Sequence, residues 1–486
     1  MSASLSSVVK AYDVRGVVPD QLDAAVVRAL GAAFAEVVVL PEAARGPAPR
    51  AVVGHDMRPS SPELSAAFAE GVASRGVDVV LIGLCSTDGL YFASGSLDVP
   101  GAMFTASHNP AQYNGIKLCR AGARPVGQDT GLAAVRDLAQ TWLDAGEVSA
   151  GAAAPGSVTE QDLLAGYAEH LRSLVDLSGA RPLKVVVDAG NGMAGHTVPA
   201  VLGDAAGLPA LPLDVQPLYF ELDGTFPNHE ANPLEPANLR DLQAAVPRAG
   251  ADLGLAFDGD ADRCFVVDEN GDPVSPSAVT ALVARREIAK ERAAGREPRV
   301  IHNLITSRAV PEIVAEDGGV PVRTRVGHSF IKQRMAEEGA VFGGEHSAHY
   351  YFREFWSADT GMLAAMHVLA ALAESDVPLS KLAAEYERYV SSGEVNSTVD
   401  DAAAVTERVL AAERDLAAAQ GRELEVDHLD GLTVTSPGTG GQPMWWFNLR
   451  ASNTEPLLRL NAEGADRETM AAVRDRVLAV VRGGAR

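Results

Sequence analysis

The 486-residue chain reads as an α/β protein with three domains of one architecture and a smaller α+β unit after them. Three observations predict this. At roughly 150 residues per domain the length corresponds to about three domains, with four within reach. Short β-branched runs alternate with longer helical periods through most of the chain. The C-terminal part instead shows several strands and then one amphipathic helix. Hydrophobic residues make up 47% and charged residues 22%, the balance of a globular chain. The 46 glycines and 28 prolines suit short connections and show no linker-like bias.

The elements follow in order. Ala51-Val52-Val53 leads to a helix over Ser61–Arg75. Ser60-Ser61-Pro62-Glu63 opens it, with proline just inside the start and a carboxylate in the first turn. Gly76 ends it, and Val77–Ile82 completes a βαβ unit. A similar unit starts at Leu183–Asp188, turns through Ala189-Gly190-Asn191-Gly192 and continues as a helix from Met193. Another runs from Val300–Ile305 through a helix at Ser307–Glu316 to Val320–Arg325, with a further helix over Ser329–Glu338. Element order, not residue identity, makes these three copies of one architecture. Leu432–Thr435, Trp445–Leu449 and Leu457–Asn461 then read as strands, followed by a helix over Asp466–Val481. Met470, Val473, Val477, Leu478 and Val481 keep its helical period. Boundaries fall in Ala150–Pro155, near Asp272–Pro276 and near Asp376–Glu394, giving domains 1–152, 153–273, 274–385 and 386–486.

With 41 basic and 64 acidic residues the net charge is −23, a poor match for nucleic acid or an anionic membrane. An anionic small substrate remains compatible, provided discrete basic positions receive it. Cys85, Cys119 and Cys264 are far apart and form no C-x-x-C pair, so neither a zinc site nor a disulfide framework is indicated. Met1 to Arg15 lacks an apolar signal core, and the longest nearly apolar stretch, Gly361 to Ala373, is too short to span a bilayer. The expectation is a soluble, cytoplasmic protein without a membrane partner.

Four loops carry the residue types that chemistry needs. The first is Thr105-Ala106-Ser107-His108-Asn109-Pro110, after the apolar run Gly101–Phe104. It places a serine hydroxyl on a turn, with Lys117 on the next strand; alone, an ordinary turn explains it as well. In the second, Asp258-Gly259-Asp260-Ala261-Asp262-Arg263, carboxylates at every second position repel one another unless a cation neutralises them, and their hard oxygens select Mg²⁺ or Ca²⁺. An EF-hand is excluded, since Arg263 stands where that loop needs glycine and strands flank it. The third, Gly343-Gly344-Glu345-His346-Ser347-Ala348-His349, follows a strand at Gly339–Phe342 and turns Glu345, Ser347 and His349 to one side. That side offers a carboxylate and hydroxyl for sugar hydroxyls and an imidazole near neutrality. A buried, satisfied histidine pair is the competing explanation. The fourth is Arg450-Ala451-Ser452-Asn453-Thr454-Glu455-Pro456, in which Pro456 prevents a helix start and leaves an oxyanion cradle.

Together, in this order and spacing, the four loops resemble the α-D-phosphohexomutase superfamily, in particular its bacterial phosphomannomutase/phosphoglucomutase branch. The resemblance spans essentially the whole chain and includes Lys10-Ala11-Tyr12-Asp13-Val14-Arg15-Gly16 and Gly327-His328-Ser329. It implies four domains around a central cleft, each giving one loop. Ser107 would carry a phosphoryl group, and Asp258, Asp260 and Asp262 would hold Mg²⁺ against it. Glu345, Ser347 and His349 would grip the sugar, and Arg450, Ser452, Asn453 and Thr454 the non-reacting phosphate. Tyr12, Arg15, His108, Arg325 and Gly327 would contact substrate; Arg263, Lys117, His349 and His328 would serve catalysis. A hexose 1,6-bisphosphate would be the intermediate and activator.

The resemblance implies interconversion of mannose 6-phosphate and mannose 1-phosphate by a monomer or weak homodimer. Asn453 and His346 differ from the Gly and Gln typical of phosphoglucosamine mutases. Ala106 and Ala348 stand where Gly is frequent, and Arg325 where many relatives have Lys. The alternatives are a dual phosphomannomutase/phosphoglucomutase, a phosphoglucosamine mutase, a metal-dependent sugar phosphatase, and a non-catalytic sugar-phosphate sensor.

Overall fold

A computed structural model describes residues 4–44, 48–146, 148, 154–438, 443–451 and 457–483, and of His328 the backbone alone. The first three sheets repeat one strand order. In the first, Asp78–Leu84, Arg50–His55 and Gly101–Phe104 lie parallel side by side, followed by antiparallel Tyr113–Arg120 and then Val14–Val17. The second runs Leu213–Leu218, Leu183–Asp188, Leu253–Phe257, then antiparallel Cys264–Asp268 and Pro273–Val274. The third runs Val320–Thr324, Arg299–Asn303, Phe342–Gly344, then antiparallel Tyr350–Phe352 and Ala358–Asp359. The expected threefold repetition is therefore present in the topology. It has a functional consequence: the Ser107, Asp258–Asp262 and Glu345–His349 loops all join the third strand of their sheet to the antiparallel fourth. Ligand sites of α/β sheets lie beyond such carboxyl ends of parallel strands.

Local sequence explains the elements. Leu253–Phe257 is apolar without alternation because both faces of its sheet are covered, and every residue in it is buried. The helices Ala24–Phe34 and Ser61–Ala73 pack at backbone distance through Gly31 and Gly71, where a Cβ would collide with the Phe68 and Arg28 carbonyls respectively.

The longest apolar stretch lies elsewhere than the sequence suggests. Ala24–Ala43 is helical throughout, with a π-helical turn at Ala35–Val39, and its most apolar 18-residue window has a mean hydropathy of 1.8. It is long and apolar enough to cross a membrane by length and composition, but 56% of its window is buried within the protein. The strand before the third loop is Phe342–Gly344, not Gly339–Phe342. Gly339 instead takes a left-handed φ of 62° and closes the helix His328–Glu338.

The C-terminal unit is an antiparallel sheet in the order Val390–Thr398, Leu457–Gly464, Trp445–Ala451, Leu432–Ser436, Glu425–Asp427. It carries two helices, Ala402–Gln420 and Arg467–Gly483, where the sequence reading found one. The missed helix is alanine-rich, so few large apolar residues, among them Val405, Val409 and Leu410, mark its apolar stripe. The second and third domains share one apolar core, which also takes Tyr91 and Phe92 from the first. The C-terminal domain has its own core and meets the third domain through polar contacts, among them Arg323 with Asp427 and Arg308 N–H with Glu463.

Candidate active site

The site begins with Ser107, buried at 5% exposure and held at a left-handed φ of 49°. A non-glycine residue persists there only when its surroundings over-determine it. Arg58 does much of this. Its fully buried guanidinium donates to the carbonyls of Ser107 (2.9 Å), Asn109 (2.7 Å), Pro110 (3.0 Å) and Tyr113 (3.0 Å), and pairs with Asp56. The result is a fixed loop whose hydroxyl points at the second domain.

There the Ser107 hydroxyl donates to Asp258 Oδ2 at 2.8 Å. Arg263 Nε reaches the same oxygen at 2.9 Å, while its Nη2 lies 3.4 Å from Ser107 Oγ and 2.6 Å from His108 Nδ1. Burial, with Arg263 and Arg15 nearby, pushes the His108 imidazole down to about 3, so it is neutral at pH 7 and accepts from Arg263. Gly259 permits the close approach: a Cβ there would strike the Ser107 carbonyl oxygen.

Lys117 Nζ binds Asp260 Oδ2 at 2.7 Å and Asp262 Oδ2 at 2.5 Å. Burial opposes ionisation of all three aspartates. Lys117 nevertheless holds Asp260 and Asp262 below the usual carboxylate range, whereas burial outweighs Arg263 at Asp258 and raises it. Each aspartate offers an oxygen within 4.8 Å of the others, and the buried Oδ1 atoms of Asp260 and Asp262 have no hydrogen-bond partner. Clustered, orphaned hard oxygens are a donor set for a divalent cation.

The third loop abuts the second. His349 forms a backbone bridge with Arg263, and its Nε2 lies 3.6 Å from Asp262 Oδ1. Its Nδ1 is 3.0 Å from Ser347 Oγ and 3.5 Å from Glu345 Oε2. Glu345 is fixed by Tyr351 OH (2.8 Å), Asn303 Nδ2 (3.2 Å) and the Gly327 amide (3.4 Å). Ala348 takes a left-handed φ of 63°, the conformation that glycine adopts without strain.

Around these loops Arg15 bonds Asn109 and Asp13. Tyr12 meets Phe330 edge-on, and Arg325 lies over the same ring at 4.9 Å. Arg450 faces Glu394 (3.8 Å) and Asp430 (3.6 Å), and Asp430 also accepts from the Val326 amide. A continuous network thus joins Ser107, Lys117, the three aspartates, Arg263, Glu345, Ser347 and His349, with Arg450 tied to the loop that holds Gly327. Ser452, Asn453 and Thr454 lie outside the described residues, as does the His328 side chain.

The sequence reading passed over Arg58, Thr87, Asn303, Tyr351, Lys332 and Asp359. Lys332 and Asp359 form a buried pair at 2.6 Å, and Asp359 lies near Asp262 and His349. Thr87 donates its hydroxyl to Asp260 Oδ2 at 2.6 Å. A signal existed for Arg58 alone, since Asp56-Met57-Arg58 places two charges at the exit of an apolar strand.

Comparison with known proteins gives the same picture. Four family models match in succession: phosphoglucomutase/phosphomannomutase alpha/beta/alpha domain I over residues 6–143, domain II over 165–271, domain III over 275–389 and the C-terminal domain over 394–480. The chain is 42% identical over 457 residues to a protein of Xanthomonas campestris pv. campestris named "Phosphohexose mutases", covering 93% of this chain and 94% of the relative. It is 37% identical over 473 residues to the phosphomannomutase of Vibrio cholerae, covering 96% of each. Among solved structures, a phosphoglucomutase/phosphomannomutase family protein of Burkholderia thailandensis superposes with a TM-score of 0.83 at 31% identity, over 100% of this chain and 99% of that one. The Aspergillus fumigatus N-acetylphosphoglucosamine mutase, solved with GlcNAc-6P and magnesium, shares the fold at a TM-score of 0.60 and 15% identity, over 99% of each chain. By loops, topology and whole-length similarity, the chain belongs to the phosphoglucomutase/phosphomannomutase family of α-D-phosphohexomutases.

Proposed function

We propose that the protein is a phosphomannomutase, interconverting mannose 6-phosphate and mannose 1-phosphate through a phosphoserine at Ser107. The observation that carries this reading is the 2.8 Å contact between the Ser107 hydroxyl and Asp258, inside a cluster of carboxylates whose orphaned oxygens suit a divalent cation. Relatives named phosphomannomutase, at 36–38% identity, support the choice of sugar.

Asp258, Asp260 and Asp262 would hold Mg²⁺, with an oxygen of the phosphorylated serine completing the set. When bound, the cation supplies neutralisation of phosphoryl charge. The chain's own residues do the rest. A sugar hydroxyl oxygen attacks the phosphorus of phosphoserine, the bond from phosphorus to Ser107 Oγ breaks, and the hydroxyl proton passes to a base. His349, beside the aspartate loop, is our first candidate for that base; Lys117 and His328 are the others. Arg263, 3.4 Å from Ser107 Oγ, steadies the departing serine oxygen. The 1,6-bisphosphorylated hexose then reverses in the cleft and returns its other phosphate to Ser107. Glu345, Ser347 and His349 bind sugar hydroxyls, while Tyr12, Arg15, His108, Arg325 and Gly327 line the substrate. Arg450, with Ser452, Asn453 and Thr454, receives whichever phosphate is not reacting; in its absence Glu394 and Asp430 balance the arginine.

We assign the four functions to segments 1–152, 153–273, 274–385 and 386–486, and the protein to the cytoplasm as a monomer or weak homodimer without nucleic-acid or membrane partners. The test is intact mass and peptide mapping of purified protein, with and without hexose phosphate. A substoichiometric phosphoryl group on Ser107 that exchanges with substrate is expected; a Ser107→Ala variant of unaltered activity overturns the reading. Rates on mannose, glucose and glucosamine 1-phosphates identify the sugar, and equal rates on the first two make it a dual enzyme.

A further inference from the structure

The helix Thr87–Leu97 begins where the first three domains meet, and its first turn carries a buried carboxylate that takes no part in the chemistry above. Asp88 Oδ2 accepts from the hydroxyl of Tyr167, in the second domain, at 2.7 Å. The same oxygen accepts from the hydroxyl of Thr360, in the third, also at 2.7 Å. The other oxygen accepts from Ser86, the cap of its own helix. A buried carboxylate is costly unless hydrogen-bonded. Here three hydroxyls, drawn from three domains, meet that need.

Both flanks of this junction grip the aspartate loop. Next to Asp88, Thr87 donates its amide to the Asp260 carbonyl (3.0 Å) and its hydroxyl to Asp260 Oδ2 (2.6 Å). Next to Thr360, Gly361 packs against the Arg263 backbone so closely that a Cβ would sit 2.6 Å from its carbonyl carbon. Thr360 also caps the helix Gly361–Ala373 through the Leu363 amide. One carboxylate therefore fastens the two supports that fix the loop at Asp260 and at Arg263.

We infer that Asp88 is a positioning residue: by pinning three domains at one point it holds the aspartate loop in register with Ser107 and so sets the loop's affinity for a divalent cation. This rests on the reading of that loop as a cation site.

The test measures Mn²⁺ binding by electron paramagnetic resonance on the full-length protein, comparing wild type with Asp88→Ala, Asp88→Asn and Tyr167→Phe. Asp88→Ala should raise the Mn²⁺ dissociation constant about 10-fold or more, the scale on which outer supports of metal sites act. Asp88→Asn keeps an acceptor for Tyr167 and Thr360 and a donor for Ser86, and should stay within about 3-fold of wild type, with Tyr167→Phe between the two. Wild-type affinity in a folded Asp88→Ala, or an Asn variant as impaired as the Ala variant, overturns the inference. If Asp88→Ala does not fold, wild-type affinity in Tyr167→Phe overturns it instead. Failure of the wild-type protein itself to bind Mn²⁺ strikes the cation reading, which keeps the two failures distinct.

Discussion

Ser107 and Asp258 stand 151 residues apart in sequence and 2.8 Å apart in space, hydroxyl to carboxylate, across the boundary between the first two domains. Removing the hydroxyl should leave the loop in place, because Arg58 still holds the carbonyls of Ser107 and Asn109. Ser107→Ala should lose at least about 10³-fold in mutase rate and all phosphopeptide signal, with an unchanged far-UV spectrum. A coupled assay and intact mass measure both.

Lys117 is the cation on which Asp260 and Asp262 depend when no metal is present. Lys117→Met strands two buried carboxylates and should cost about 3 kcal/mol of stability in EDTA. Millimolar Mg²⁺ should recover part of the loss by binding the folded state. Thermal melts of both forms, with and without the ion, check the prediction. A variant whose melting point ignores Mg²⁺ would contradict it.

Gly259→Ala tests the fit between the two loops. The added methyl meets the Ser107 carbonyl, which Arg58 already holds in place. The clash should cost about 1–3 kcal/mol and displace the serine enough to lower kcat by roughly 10²-fold. Urea titration and steady-state kinetics separate the two effects.

Asp88 makes a prediction in pH. Burial, only partly offset by the Ser86, Thr360 and Tyr167 hydroxyls, pushes its carboxyl up to about 6 from an ordinary 3.8, with Asp262 adding to the rise. The folded state thus prefers the protonated form. Its stabilisation is complete below the unfolded value and is lost as pH rises through about 6. Asp88→Asn has no proton to lose. In metal-free buffer its stability relative to wild type should climb by roughly 2 kcal/mol between pH 4 and pH 7 and then level off. Urea midpoints across that range measure it.

The legible parts of the molecule were those written locally. Leu183–Asp188 has the expected bounds because the β-branched run Val185–Val187 is closed by the turn residues that follow it, and the strand expected before the aspartate loop is Leu253–Phe257. The alternation of Asp258, Asp260 and Asp262 predicts converging carboxylates, and the structure brings an oxygen of each within 4.8 Å of the others. For Arg58 the strand-exit pair Asp56 and Arg58 marks the position, but its role of collecting carbonyls some fifty residues away is encoded by no local pattern. Lys332 and Asp359 lie on separate elements, and only tertiary packing buries them as a pair. Thr87 carries no local mark of its contact with Asp260, which only the packing of the second domain against the first creates.

The serine turn, the aspartate turn and the glutamate turn share one topological address in successive copies of a single sheet plan. One scaffold thereby aims three unlike tools at a common point, and each turn is free to change its chemistry without disturbing how its neighbours are aimed. The same arrangement makes the strands leading into those turns intolerant of insertion. A one-residue slip in Gly101–Phe104, Leu253–Phe257 or Phe342–Gly344 would swing that strand's side chains to the opposite face and point its turn away from the other two.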